Sequence, residues 1–363
     1  MDSYKVLHVI NGMGSGGAEA DIMNWFRKLS KLGYQFDFLI RSNQDFYIDE
    51  IKKLGGEIYR VPSFPKNCIK NIINTKKFLK ENTDYDAIHI HGNTLFYIVP
   101  LLFAKLYKNK KVIVHIHSNQ ASGFFSQMIH FINRTLFSGL ADYRIACSKT
   151  SGRFGFGNKS FMVINNGIDI DKYHSAVPIQ IKRNNGEQDL ELIETIFVHV
   201  GRFLPVKNQS FLIDIFYTYQ KRHPNSILIL IGNGPDIDKI KIKVMDLNIN
   251  DKVCFVGETT MVERYLKAAN ILVFPSLYEG VPLVVLEAQA AGLKCMISDA
   301  ITDDVIITPL VRSCSLTSNA EEWTDEIDNF LKEPIICDVY ERFQKYHYDL
   351  DSVINQLRIL YTE

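Results

Sequence analysis

The sequence predicts an α/β chain of two doubly wound parallel-sheet domains, and three observations carry that expectation. Short apolar runs alternate with amphipathic helical stretches from the first residues onward. A polar stretch at 174–188, continued by Asp189 to complete KRNNGEQD, interrupts the alternation, and a second set follows it. The length, 363 residues, exceeds one ordinary core and suits two of roughly 150–200 residues. The expected division is an amino-terminal domain over 1–175, a carboxy-terminal domain over 176–345, and a last helix within 346–363 that packs back on the first domain.

In the first half, strands are expected at 5–10, 36–40, 57–61, 87–91, 112–117, 143–146 and 162–164, with helices at 18–32 and 69–81 among them. Ligands of such a sheet collect at the carboxyl ends of its strands. The first strand runs into Asn11-Gly12-Met13-Gly14-Ser15-Gly16-Gly17, whose glycines let backbone approach a phosphate at a helix start. Gly12, Gly14 and Gly17 also satisfy G-x-G-x-x-G, so a dinucleotide is weighed. That reading wants an acidic residue at the end of the second strand, where this chain has Leu39-Ile40-Arg41, with Asp37 inside the strand. Arg41 would suit a 2′-phosphate.

The pairs His89/His91 and His115/His117 close the fourth and fifth strands. Alternation puts each pair on one face, the spacing of metal ligands, yet no carboxylate or cysteine joins them locally. Hydrogen-bonded histidines and no metal are expected, with His117, nearest its strand end, as the substrate contact. Residues 123–140 form an apolar run preceded by Lys105, Lys108, Lys110 and Lys111, which reads either as a helix meeting a membrane surface or as a core helix beside a basic loop.

Beyond the polar stretch, a strand at 195–200 ends in Gly201-Arg202-Phe203-Leu204-Pro205-Val206-Lys207 before a helix from 209. Arg202 and Lys207 flank a post-strand loop from which both could reach one pyrophosphate. Further strands are expected at 227–232 and at 253–256, the latter ending at Gly257. Then comes ILVFPSLYEGVPLVVLEAQAAG, 271–292: a buried strand, a loop ending Glu279-Gly280, and an apolar helix with Pro282 in its first turn. Glu287 lies inside that helix with no basic residue within a turn, and ligand hydroxyls could satisfy it. Glu279 lies just before the helix start, where free N–H groups favour an anion.

Composition limits the function classes. Residues 1–170 hold 22 Lys and Arg against 13 Asp and Glu, and the remainder is acidic by the same margin, so the whole chain is not a general nucleic-acid binder, although its first half could face anionic lipid. The six scattered cysteines make no C-x-x-C, and those at 147, 254 and 295 are expected as small core residues. No apolar run reaches the ~18 residues of a membrane span, and no signal peptide is read at the start, so the expected location is the cytoplasm or the inner membrane face.

Together these segments resemble the family-4 retaining glycosyltransferases of GT-B fold, and among them the bacterial capsule and exopolysaccharide enzymes, over nearly the whole chain. The carriers are VLHVINGMGSGGAE, ADYRIACSK, VINNGID, VHVGRFLPVKN, LILIGNGP, VCFVGE and, above all, FPSLYEGVPLVVLEAQAAGLKCMISD with its E-x7-E pair. The resemblance implies two Rossmann-like domains facing an interdomain cleft and a nucleotide diphosphate sugar, uridine-linked, as co-substrate without a metal or other cofactor. It implies that Glu279 holds the donor sugar, Glu287 the ribose, and Arg202 and Lys207 the diphosphate. The backbone of Gly280, Val281, Pro282 and Leu283 and of Gly16 and Gly17 would assist, Gly257 would lie near the base, and His117 would line the acceptor side. Lys149 departs from the family's usual Glu and bears on the acceptor contacts. The implied partners are the donor, a saccharide or lipid-linked acceptor, and peripherally the membrane, with no nucleic acid. Sugar-nucleotide epimerisation, phosphorolysis, a nicotinamide-dependent oxidation and a non-catalytic sensor stay open as alternatives.

Overall fold

A computed structural model describes residues 4–107, 111–118, 123–180 and 193–362. Lys108, Lys110 and the KRNNGEQD run lie outside the described residues. The chain divides into one unit of Met1–Gly167 with Leu350–Glu363 and a second of Ile168–Asp349.

The first unit is built on seven strands, β1 (Tyr4–Ile10), β2 (Tyr34–Ile40), β3 (Ile58–Arg60), β4 (Ala87–Gly92), β5 (Val112–Ile116), β6 (Tyr143–Ala146) and β7 (Met162–Val163). They lie in the order β3-β2-β1-β4-β5-β6-β7, and every pairing is parallel. The order reverses between β1 and β4. Helices cover both faces, so the central strands are buried along nearly their whole length, as parallel strands must be. The helix Gly17–Leu29 turns Ile22, Met23, Trp25, Phe26 and Leu29 into one core. The helix Leu350–Thr362 adds Leu350, Val353, Ile354, Leu357, Leu360 and Tyr361 to that same core. Lys111 Nζ donates to the carbonyls of Leu360 and Tyr361 at 2.8 and 2.9 Å, fixing the end of that helix.

The second unit carries β8 (Thr195–Val200), β9 (Ser226–Ile231), β10 (Val253–Gly257), β11 (Ile271–Phe274), β12 (Lys294–Ser298) and β13 (Val311–Cys314), all parallel in the order β10-β9-β8-β11-β12-β13. Here the reversal lies between β8 and β11. β9 is buried at every position, as its run SILILI requires. The sequence marks β12 only as the apolar run around Cys295 and gives β13 no counterpart, because short runs such as KCMIS and VRSC separate poorly from loop by periodicity. The helix Ala320–Lys332 opens with a capping box, Asn319 and Glu322 each taking the other's backbone N–H.

The unit boundaries differ from the expected 175/176 and 345/346. Ile168 N donates to Tyr348 O at 2.8 Å, Ile168 bridges to Asp349, and Ile170 and Tyr173 are buried in the second unit's core. Packing of 168–174 and 346–349 decides the division; the polar stretch does not. Among the described residues no helix is long and apolar enough to cross a membrane.

Candidate active site

In the second unit, the loops that leave β8 and β11 rise from the strands on either side of the order reversal, the place where an open α/β sheet receives ligands. Arg202 follows β8 after Gly201 and is exposed, while its carbonyl accepts from Gln209 Nε2 at 2.9 Å. A single turn, Pro205–Lys207, then presents Lys207. Lys207 Nζ meets Glu279 Oε1 at 2.6 Å, with the two side chains 18% and 16% exposed, and sits 4.8 Å from the centre of the Phe274 ring. The loops are tied by backbone as well. Leu277 N donates to Val206 O at 2.8 Å, and Asn208 Nδ2 donates to Pro275 O at 3.1 Å.

The loop after β9 braces this arrangement from the other side. A Cβ on Gly232 would fall 2.2 Å from Gly201 O, and one on Gly234 2.4 Å from Phe203 O. Neither residue tolerates a side chain, because the Arg202 segment lies against them; this is the physical content of the GNGP motif. Beneath it His199 is fully buried, shares a hydrogen bond of 3.0 Å with Val273 O, and is pushed down to about 4 by burial.

The helix after β11 spans Leu283–Ala290, and Gly292 in the left-handed region follows its end. Pro282 occupies the capping position and lies outside the first turn. Having no N–H, it cannot serve an anion, so Gly280, Val281 and Leu283 are the donors available there. Gly280 has open space where a Cβ would be. Glu287 has a partner that the sequence reading did not find: Tyr173 Oη donates to its Oε1 at 2.6 Å. Burial raises the Glu287 carboxyl, and the Tyr173 bond and Lys172 act against that rise. Gly257 ends the edge strand β10 at φ 80°, its carbonyl accepting from Gly232 N at 2.8 Å. The geometry thus joins Lys207 to Glu279 and braces Arg202's loop from below.

In the first unit, Gly16 caps and Gly17 opens the helix Gly17–Leu29, and the Glu19 carboxylate folds back over Gly16, its Oε2 2.4 Å from where a Cβ would stand. Gly12 and Gly14 answer to the chain itself: a Cβ on Gly12 would lie 2.2 Å from Ser42 Oγ, and one on Gly14 3.3 Å from Gln44 Oε1. Arg41 donates to Phe64 O at 3.1 Å and stacks 4.3 Å from the Tyr97 ring centre. Asp37 is held by Glu57 N and Tyr85 Oη, both at 2.9 Å. The segments a dinucleotide would need are committed to the fold. His117 follows β5, half-buried, shares a hydrogen bond of 2.9 Å with His91, and is lowered to about 4 by burial.

Residues 15–172 match the family described as Glycosyltransferase Family 4, and residues 181–349 match Glycosyl transferases group 1. A protein of Bacillus subtilis (strain 168) named as the glycosyltransferase EpsF is 33% identical over 338 residues, covering 89% of this chain and 86% of its own. The chain belongs to the family-4 glycosyltransferases. The capsular polysaccharide biosynthesis glycosyltransferase CapH of Staphylococcus aureus is 25% identical, with 78% of each chain covered. An Escherichia coli UDP-Gal:alpha-D-GlcNAc-diphosphoundecaprenol alpha-1,3-galactosyltransferase is 24% identical over 72% of this glycosyltransferase and 74% of its own length. The crystal structure of Anabaena Alr3699/HepE in complex with UDP and glucose superposes with a TM-score of 0.77 at 16% identity, covering 99% of this chain and 100% of that one. The glycosyltransferase therefore has the GT-B fold, in the sense of two Rossmann-like parallel sheets of seven and six strands.

Proposed function

We propose that this glycosyltransferase moves a sugar, with retention at the anomeric carbon, from a uridine diphosphate sugar to a hydroxyl of a saccharide or lipid-linked saccharide in cell-surface polysaccharide synthesis. The observation that carries the reading is the Lys207–Glu279 pair at the end of β8 and β11, a cation and an anion held together beside an uncapped helix start. Arg202 and Lys207 meet the diphosphate, and Gly280, Val281 and Leu283 add N–H donors. Gly16 and Gly17 of the first unit are further donors. Glu279 takes sugar hydroxyls, Glu287 the ribose, Gly257 lies near the base, and His117 faces the acceptor.

The acceptor oxygen attacks the anomeric carbon as the bond to the diphosphate oxygen breaks, on the same face of the sugar. The acceptor's proton ends on the departing diphosphate. Negative charge grows on that group, and fixed cations and helix N–H groups stabilise it without reorganising. Relatives named for capsular polysaccharide and for a diphosphoundecaprenol-linked substrate support the acceptor class. So does the helix Phe124–Phe137, where Phe124, Met128, Ile132 and Leu136 recur every four residues and are all exposed, an apolar stripe suited to the surface of an anionic membrane.

The test is a thermal-shift panel of nucleotide sugars followed by transfer assays. A donor at a hundred times its Kd stabilises by about 2.7 kcal/mol. Arg202→Ala should lower transfer by roughly 10²–10³ with the fold intact. Near-normal rates in the folded variant, or conversion of donor with no acceptor present, would overturn the reading.

A further inference from the structure

On one face of the first sheet, at its order reversal, the strands carry five histidines. Register places His8 of β1 opposite His89 of β4, and His91 of β4 opposite His115 of β5, with His117 one step beyond β5. Alternation then brings all five rings to the same side. His89 and His91 stack with ring centres 4.1 Å apart, as do His115 and His117, and Trp25 of the covering helix lies over His115 at 5.7 Å. His8 Nδ1 meets His91 Nε2, and His91 Nδ1 meets His117 Nε2, each at 2.9 Å. His115 is fully buried, and neither of its ring nitrogens has a hydrogen-bond partner.

Packing alone does not account for this set. Valine or isoleucine would fill the same positions without burying imidazole nitrogens that lack partners. Imidazole nitrogens gathered this closely are, by contrast, the donor set of a borderline divalent ion. His91, His115 and His117 each offer one nitrogen, and these lie within 4.8 Å of one another. Ligands about 2.0–2.1 Å from a tetrahedral ion stand roughly 3.3 Å apart, which modest ring rotations would reach.

We propose that His91, His115 and His117 bind one divalent transition ion of the zinc class. His8, hydrogen-bonded to the far nitrogen of His91, orients that ligand, as outer partners of metal-bound histidines do. His117 is half-buried at the carboxyl end of the sheet and gives the ion its access. The ion's place is structural, joining β4 to β5. The proposal does not depend on the donor-site reading; the ion fixes the ring of His117, which the proposed function places on the acceptor side, and no step of transfer passes through the ion.

The experiment uses the full chain without added histidines, stripped with chelator and titrated with Co(II), followed by its visible absorption and by elemental analysis. One equivalent is expected, with a tetrahedral spectrum and a raised unfolding midpoint. Binding should weaken by about 100-fold in His115→Leu and in His117→Gln, and should be unchanged in His174→Asn. Circular dichroism checks the fold of His115→Leu, and His117→Gln, at a half-buried position, carries the test independently. Folded wild-type protein that takes up less than about a tenth of an equivalent would overturn the proposal. So would undiminished binding in both folded variants, or binding lost only in His89→Leu, which would move the ion to His8, His89 and His91.

Discussion

The ion pair between Lys207 and Glu279 should be a strongly coupled one, and its coupling can be worked from the structure. At 2.6 Å, Coulomb's law with an effective dielectric of ~20 gives an attraction of about 6 kcal/mol. Both side chains keep about a sixth of their surface in water, so desolvation, several kcal/mol per fully buried ion, takes back much of this. A net coupling of about 2 kcal/mol is expected, above the 0.2–1 kcal/mol of an exposed pair. The assay is a double-mutant cycle with Lys207→Met, Glu279→Gln and the double variant, read from urea unfolding. The cycle cancels the separate contact of Lys207 with Phe274, which both lysine variants lose alike. A coupling below about 0.5 kcal/mol would show that the two groups act as independent solvated charges. The reasoning would also fail if 0.5 M salt removed most of the coupling, since a pair so shielded is screened little.

Three other outcomes are expected. Gly234→Ala should destabilise the chain by about 3 kcal/mol, because its Cβ would meet backbone at Phe203, whereas Gly280→Ala should cost less than about 0.5 kcal/mol and weaken donor binding instead; equal unfolding midpoints for the two would contradict this. Tyr173→Phe leaves the Glu287 carboxyl without its donor and should cost about 1–3 kcal/mol in thermal unfolding, a loss absent if water replaces the phenol. His199, held near 4 when folded against 6.5 when unfolded, contributes fully above pH 6.5 and loses that contribution as pH falls toward 4. The stability of His199→Asn should therefore fall less steeply between pH 6.5 and 5, by about 1 kcal/mol per pH unit, in unfolding titrations.

The elements were legible because parallel strands buried on both faces are continuous apolar runs: 143–146, 195–200 and 271–274 are read at their observed limits. The loops that follow them were legible for the same reason, and with them Arg202, Lys207 and Glu279. What one dimension hides is which loops touch. Lys207 and Glu279 are 72 positions apart and Tyr173 and Glu287 are 114 apart, so neither partnership leaves a trace in local pattern. Gly12 looks like a phosphate loop in sequence, and only the fold reveals that Ser42 fills the space beside it. The histidine pairs were visible as H-x-H, but the register that adds His8 to them was not.

The helix Leu350–Thr362 supplies one wall of a core begun at Tyr4, and the intervening Ile168–Asp349 forms a sheet of its own. During synthesis the inserted half can therefore finish folding first, while the earlier half waits, its Tyr34 and Phe36 without the Tyr361 ring that packs on them, for residues made last. A chain that has emerged as far as 349 and no further would hold one finished lobe and one open lobe, and any chaperone that guards this protein on its way out would be guarding the amino-terminal half.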